Sequence, residues 1–182
     1  MKLSEKLVGS KVILERPRPD KAQAKTIFAH IEISKASMRP WLDWVDKVKT
    51  ADDRLKFLQY VDECWEQGKE FSYSIYRRDN QTYAGHISVV NLDFDKMSAK
   101  FGYWLSDVAV GFGFMREAVS LLETELKNRG FKEVIIEADE ENLRSNNVPK
   151  ALGYQLDKDR CGSQYSALQN RLRRINFYIK RL

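Results

Sequence analysis

Two short segments of this 182-residue chain carry residue types that chemistry can use. The first runs Gly102-Tyr103-Trp104-Leu105-Ser106-Asp107-Val108-Ala109-Val110-Gly111-Phe112-Gly113-Phe114-Met115-Arg116-Glu117-Ala118 and reads as a strand passing through a glycine-containing turn into a helix. The opening amides of such a helix lack intrahelical partners and lie at the positive end of its dipole, which makes the turn an anion site. Gly111 and Gly113 allow a phosphate to approach the backbone with no Cβ in the way. The turn matches neither the Walker lysine pattern nor the full dinucleotide fingerprint. The second segment, Glu140-Glu141-Asn142-Leu143-Arg144-Ser145-Asn146-Asn147-Val148-Pro149-Lys150-Ala151-Leu152-Gly153-Tyr154, offers Ser145 as a helix N-cap and Asn142 as a turn residue. Each segment is a weak signal alone, and their pairing in this order is more specific. Two histidines and two distant cysteines fit no metal-ligand spacing, and no Ser-His-Asp or Cys-His arrangement has motif support.

The elements that must hold these segments follow from periodicity and punctuation. Lys11 to Glu15 reads as a first strand, ended by Pro17 and Pro19. Asp20 caps a helix through Ile31, with Ala24, Ile27, Phe28 and Ile31 at helical spacing. An aromatic connection around Trp41 and Trp44 follows. Thr50 and Asp53 open a second helix with Leu55, Leu58, Val61, Cys64 and Trp65 on one stripe, closed by Gly68. Phe71 to Tyr76, Thr82 to Leu92 and Ala99 to Leu105 form a meander of strands. The helix after Gly113 runs through Arg129 and closes at Gly130. Val134 to Ala138 is a buried-type strand, then come a short helix to Leu152, a strand from Tyr154 to Leu156, and a last strand carrying Ile175, Phe177 and Ile179. No linker, repeat or low-complexity stretch divides the chain. One α/β (α+β) domain over residues 1–182 with a mixed sheet is the expectation.

Composition narrows the class. Hydrophobic residues make up 43% and charged residues 31%, a globular mixture. No 18-residue apolar run exists to span a membrane, and the N-terminal stretch lacks the apolar region of a signal peptide. With Cys64 and Cys161 alone there is no disulfide framework, and a reducing cytoplasm is the expected compartment. The formal charge of +5 is uneven: residues 158–182 carry seven basic residues against one acid, leaving everything before them at −1. A nucleic-acid binder would show a basic stripe interleaved with aromatics and a recognisable motif. Neither is present, so a solvated basic face is the plainer reading.

Taken together the motifs resemble the GCN5-related N-acetyltransferases (GNAT), in the branch that acetylates ribosomal-protein N-termini. The resemblance covers nearly the whole chain: Arg16-Pro17 with Asp20, Trp41-Leu42-Asp43-Trp44, Gly85, the run Gly102 to Leu105, the Gly111-Phe112-Gly113 turn, the Asn142…Ser145 pair, and Gly153-Tyr154. It implies a splayed, mixed, mostly antiparallel sheet flanked by helices, with acetyl-CoA as cosubstrate, no metal, and a protein N-terminus or small amine as acceptor. Homodimers are frequent in that branch, and the sequence leaves the oligomeric state open. Carried over residue by residue, the cofactor site would take Leu105, Val108, Val110, Gly111, Phe112, Gly113, Phe114, Met115 and Asn142. The pyrophosphate would sit on the amides of Val110 to Met115. Three departures stand out: Val110 where the family has Gln or Arg, Phe112 where a basic residue is common, and Met115 at a small position. Backbone donors survive these changes, whereas a side-chain contribution to phosphate binding does not. A non-catalytic module of the same fold is the second reading.

The chemistry the resemblance implies needs a neutral amine, an oxyanion donor and a partner for the departing thiolate. The superfamily's usual tyrosine falls on Pro149, which has no hydroxyl, so the branch's serine, Ser145, is the expected catalytic residue. An N-terminal amine has a pKa near 8, so a water chain suffices as base. Glu15 and His86 border the expected acceptor groove, although a strand-end carboxylate and a structural histidine are their plainer readings. Trp41 and Trp44 either wall that groove or pack in the core. Arg171 and Arg173 are expected to precede the last strand and bias the groove toward an acidic acceptor.

Overall fold

A computed structural model describes residues 2–166 and 170–182. Nine strands are present among them: β1 (Lys6–Val8), β2 (Val12–Glu15), β3 (Phe71–Arg77), β4 (Tyr83–Asp93), β5 (Ser98–Leu105), β6 (Glu133–Asp139), β7 (Gln155–Leu156), β8 (Gly162–Ser166) and β9 (Arg171–Arg181). Four α-helices accompany them: α1 (Lys21–Met38), α2 (Ala51–Gln67), α3 (Phe114–Asn128) and α4 (Leu143–Ala151). The strands form one sheet in the order β1-β2-β3-β4-β5-β6-β9-β7, with β8 paired to β9. Every pairing is antiparallel except β5 with β6. This is the mixed, mostly antiparallel sheet the sequence implies.

Local chemistry accounts for the helices. Asp20 accepts from the amides of Ala22 and Gln23 and starts α1. Thr50 and Asp53 form a reciprocal capping box at α2, and Gly68 ends it in the left-handed region at φ +67°. Helix α1 continues to Met38, two turns beyond the predicted end, because Ser34 and Met38 remain on its buried face. Strands β1 and β8 were not expected, and β9 already starts at Arg171, so Arg171 and Arg173 lie within it.

The two faces of the sheet differ. One packs Phe71, Tyr73, Ile75, Ile87, Val89 and Phe101 against Ala118, Val119, Leu122 and Leu126 of α3. The other meets α1 and α2 through Ile27, Ile31, Leu58 and Val61, together with the aromatic rings of Tyr83 and Trp104. Burial at roughly 25 cal/mol per Å² of apolar surface makes both layers necessary to hold the sheet between them.

The decisive local feature lies between β5 and β6. Their register runs from Ser98↔Glu133 to Phe101↔Ile136 and stops, although β5 continues to Leu105 and β6 to Asp139. The strands part, and α4 fills the wedge. Asn146 fixes α4 to the β6 side: its amide nitrogen donates to the carbonyls of Asp139 and Asn142 at 2.7 Å, and its oxygen accepts from Asn176 and Tyr178 at 2.8 Å.

Basic β9 is matched by acids. Lys180 meets Glu123 at 2.7 Å, Arg171 meets Glu141 at 2.6 Å, Arg174 meets Glu140 at 3.5 Å, and Arg173 lies 3.6 Å from Asp139. The C-terminal charge excess is therefore spent largely on the acid-rich stretch around the end of β6.

Glu117, in the first turn of α3, ties the start of that helix to the β1–β2 hairpin. Its carboxylate accepts from the amides of Ser10, Lys11 and Val12 at 2.8, 2.7 and 2.8 Å, and from the Ser10 hydroxyl. Burial works against the charge, yet these bonds outweigh it and hold the carboxyl below its ordinary value of 4.5. A depressed folded-state pKa stabilises the protein above the unfolded value and loses that stabilisation as pH falls through the folded value. Glu117→Gln is expected to cost about 1–3 kcal/mol at neutral pH, the scale for unmaking charge-assisted bonds. Thermal unfolding of the two proteins should converge as the pH drops below about 4.5.

Candidate functional site

The parted strands open a cleft of about 1110 Å³. Gly102, Tyr103, Trp104 and Leu105 line it from β5, Glu137 and Ala138 from β6, and Asn142 and Ser145 from α4 and its cap. The α3 turn contributes Val110, Gly111, Gly113, Phe114 and Met115. Ser37, Met38, Trp41 and Leu42, from the end of α1 and the loop after it, close the far end.

At the cofactor end the turn does what its glycines predict. Gly111 and Gly113 have φ of +96° and +79°, a region that side-chain-bearing residues adopt only under strain. Gly113 is the N-cap of α3. Among the described residues no backbone carbonyl accepts from the amides of Gly111 to Arg116, whereas the Val110 amide turns back toward Asp107 at 3.5 Å. The donor set is thus one residue later than Val110 to Met115.

Two cations lie beside the turn. A Cβ on Gly113 would lie 3.4 Å from the Arg116 guanidinium and 3.6 Å from the Lys11 ammonium. The ammonium also donates to the Phe112 carbonyl at 3.3 Å. Neither side chain has an ion-pair partner among the described residues. Positive side-chain charge thus lies beside the turn, from a hairpin about a hundred residues away and from the first turn of α3. The sequence reading missed both, because Lys11 reaches the turn only through the bonds of Glu117 to that hairpin.

The middle of the cleft is a strand edge. The Ser106 amide donates to the Ala84 carbonyl on the β4 side at 2.8 Å. Alternation in an antiparallel pair then directs the Leu105 amide the other way, into the split where β6 no longer pairs. Gly85 stands opposite Leu105, and a Cβ there would be 2.4 Å from the Trp104 carbonyl oxygen. Glycine is what lets β4 support this end of β5 so closely.

Ser145 lies in the cleft, but it is not the N-cap. Asn142 is, its side-chain oxygen accepting from the Ser145 amide at 3.1 Å. The Ser145 hydroxyl, free of capping, is 3.5 Å from the Tyr103 hydroxyl. Pro149 explains the pairing. It has no N–H to give the Ser145 carbonyl four residues earlier. The Tyr103 hydroxyl donates to that carbonyl instead, at 3.2 Å. Burial pushes the Tyr103 phenol up to about 12, so it remains a proton donor at neutral pH. Tyr103 went unrecognised in the sequence because its partner is a carbonyl exposed by a proline 46 positions away.

Several expected site residues fall elsewhere. Val108 is exposed and lines no part of the cleft. Phe112 is also exposed, stacked on Phe114 beneath the Arg77 guanidinium. Glu15 is exposed and 3.6 Å from Lys6. Trp41 lines the cleft, whereas Trp44 sits behind it against Trp104 and Arg54. Arg173 is buried and donates to the carbonyls of Pro40 and Trp41 at 3.3 Å, so it anchors the loop rather than presenting charge to a groove. Arg171 is engaged with Glu141. His86 is buried, with Nε2 3.0 Å from the Ser88 hydroxyl. Burial, then the nearby Arg54 charge, pushes its imidazole down to about 3. A general base operating near neutrality needs a higher value. His30 is the other histidine, on α1, with Nδ1 2.9 Å from the Ser106 hydroxyl and its pKa lowered by burial. Proton-detected titration should find His86 neutral from pH 8 to 5.

Among the described residues no group of His, Cys, Asp and Glu could hold a metal, and no helix is long and apolar enough to cross a membrane. No curated protein sequence matches the chain. Solved structures do, at identities that speak for the fold alone. RimL, ribosomal L7/L12 alpha-N-protein acetyltransferase, in complex with coenzyme A, superposes with a TM-score of 0.86 over 97% of both chains at 22% identity. The microcin C7 self immunity acetyltransferase MccE, in complex with acetyl-CoA and AMP, gives 0.85 over 96% of this chain and 94% of its own at 21% identity. A ribosomal-protein-S5-alanine acetyltransferase from Vibrio fischeri gives 0.81 over 98% and 97% at 17% identity. The model of the acetyltransferase (GNAT) domain matches residues 11–155, most of the chain including both halves of the cleft. With strands parted after Phe101 and open amides on α3, this chain belongs to the GNAT acetyltransferase family and is an acyltransferase.

Proposed function

We propose that this acetyltransferase takes its acetyl group from acetyl-CoA and delivers it to a primary amine at a protein N-terminus. The observation that carries the cofactor half is the run of partnerless amides from Gly111 to Arg116, flanked by two cations without carboxylate partners. A pyrophosphate satisfies both at once. The open edge of β5 beyond Phe101 gives an amide-bearing chain backbone groups to pair with on its way to the acetyl end. Acetyl-CoA bound there supplies the activated thioester.

The remaining duties fall to few groups. The Leu105 amide is directed into the split, where a carbonyl oxygen gains charge during amine attack. The Ser145 hydroxyl can donate to the departing sulfur, and Tyr103, whose own proton goes to the Ser145 carbonyl and whose raised phenol pKa keeps that proton in place, holds Ser145 in position. A terminal α-amine is largely deprotonated near pH 8, so no strongly basic side chain is required. The peptide acceptor is supported by the end of the cleft between Trp41, Leu42 and Trp104, which stays open beside the exposed strand edge. Likeness of fold to ribosomal-protein acetyltransferases points the same way.

Calorimetric titration with acetyl-CoA tests the first half. Wild type should bind, Lys11→Ala combined with Arg116→Ala should bind about tenfold more weakly, and Gly113→Trp should not bind. No heat from wild type at sub-millimolar ligand would sink the reading. Steady-state transfer to N-terminal peptides tests the second half. Ser145→Ala and Tyr103→Phe are each expected to lower kcat by about ten- to a hundredfold while leaving the acetyl-CoA dissociation constant within about twofold. The rate should rise with pH up to about 8 as the acceptor amine loses its proton.

A further inference from the structure

Three arginines are buried: Arg16, Arg54 and Arg173, at 6%, 3% and 6% exposure. Arg16 is met by Glu5, Asp62 and Glu66 at 2.6–2.8 Å. Arg173 has Asp139 and two carbonyls. Arg54, the most buried, has no hydrogen bond and no ion pair with any described residue, and its Nε is sealed from solvent. It sits in α2 where a core residue belongs, four before Leu58 and seven before Val61 on the inward stripe. Its guanidinium carbon lies 3.9 Å from the centre of the Phe57 ring and 5.8 Å from that of Trp44. Such contacts attract the charge but accept none of the five in-plane N–H bonds. Burial without an anion pulls its pKa down to about 10. Leaving a guanidinium so placed is costly unless something else pairs with it.

Its surroundings share the deficiency. Among the described residues eight buried side-chain atoms lack hydrogen-bond partners. Four of them fall into opposed pairs, Arg173 beside Asp139 and Tyr154 beside Glu123. The other four have no opposing group, and all lie beneath α2: Arg54 Nε, Ser74 Oγ, Tyr83 OH and His86 Nδ1. Ser74 and His86 are register partners on adjacent strands, and Arg54 interacts electrostatically with Tyr83 and His86. Ser72 gives its proton to Glu70, so Ser88 donates to Ser72 and His86 Nε2–H donates to Ser88, which leaves Nδ1 as an acceptor and the Arg54 guanidinium as the single charge of the set. The Arg54 charge has no anion opposite it among the described residues. The cluster adjoins the acceptor end of the cleft: Trp104 lines that end, and its ring is 6.3 Å from that of Trp44 and 6.0 Å from that of Tyr83.

We infer that the cluster beneath α2 is an acceptor subsite, in which Arg54 receives a carboxylate borne by a side chain close to the acceptor amine and reaching past Trp104. A single cation inside an apolar wall matches a monoanion, whereas a phosphate of nearly two charges would leave one uncompensated. A planar carboxylate also fits the guanidinium fork. This rests on the acetyl-transfer reading above. It moves the acidic preference from Arg171 and Arg173, whose charges are engaged by Glu141 and Asp139, to the one buried arginine that no carboxylate among the described residues neutralises.

The test uses the full chain and hexapeptide acceptors with N-terminal serine, identical except for Asp or Asn placed in turn at the second, third and fourth positions. For wild type, kcat/KM should favour Asp over Asn about tenfold at one of these positions, and mainly through KM. The preference should persist at about 0.5 M salt, because a buried pair is screened little while surface steering is lost. In Arg54→Met it should collapse to about unity, with an unchanged or higher Tm, since a buried unpaired charge has been removed at similar volume. Tyr83→Phe keeps the ring contacts, removes one orphan hydroxyl, and should lower the preference about threefold even if Arg54→Met does not fold. Equal rates for all Asp and Asn pairs in wild type would overturn the inference, as would a preference that neither variant alters. Acetyl-CoA binding is measured in parallel on every protein. Its absence in wild type would remove the transfer reading and this one with it, whereas intact binding and turnover without the Asp preference would remove this one alone.

Discussion

Hydrogen bonding between β5 and β6 ends at Phe101 and Ile136 while both strands continue, and the site depends on that parting. Among the described residues the only parallel pair in the sheet is the one that opens. What holds it open is α4, which is bound to the β6 side through three bonds of Asn146 and to the β5 side through Tyr103. Pro149 makes the second attachment available by withholding the helix bond from the Ser145 carbonyl. A residue that weakens the helix therefore strengthens its docking across the split. The unpaired strand edge that results would be a liability on the rim of a sheet; enclosed in a cleft, it becomes a row of backbone donors and acceptors for a ligand.

A second constraint places the α3 turn against that edge. The Glu117 carboxylate gathers three amides from the hairpin between β1 and β2, and this contact carries Lys11 to the N-terminus of the helix. The helix dipole, the open amides and two cations then converge on one point. The arrangement also explains why Val110 and Phe112 need not be basic. Positive charge lies beside the turn from Arg116 in the following helix and from Lys11 on a distant hairpin. Phe112 instead shelters Phe114 and stacks beneath Arg77, closing the turn from the solvent side.

Legibility in the sequence followed the range of the interactions. Asp20, the Thr50–Asp53 box and Gly68 act within a turn of themselves, and the ends they mark were readable. The meander and the α3 helix show in alternation and in 3.6-residue spacing. Strands β1 and β8 show no such pattern, because their residues are mostly exposed and their positions come from partners. At the site, the glycines, Leu105, Asn142 and Ser145 were legible because a local motif carries them. Lys11 and Tyr103 were not, since each acts through a contact far along the chain. Arg171 and Arg173 were read as free charge because the acids that engage them lie on a strand and loop 30 or more residues earlier.

The helix α2 stripe makes the same point about function. Periodicity puts Leu58, Val61 and Trp65 inside, and the same periodicity puts Arg54 with them. Polar residues on a core stripe are normally answered from the opposite side, as Glu123 is by Lys180 and Asn146 by Tyr178. Beneath α2 the opposite side offers Ser74, Tyr83 and His86, none of which is negative. The opposite face of the sheet, packed with Ile75, Ile87 and Val89, needs no such groups. A fold that had only to be stable would carry a methionine or leucine at position 54 and gain by it. Retaining a cation there, one aromatic layer behind the acceptor end of the cleft, makes sense when the missing charge arrives with the substrate.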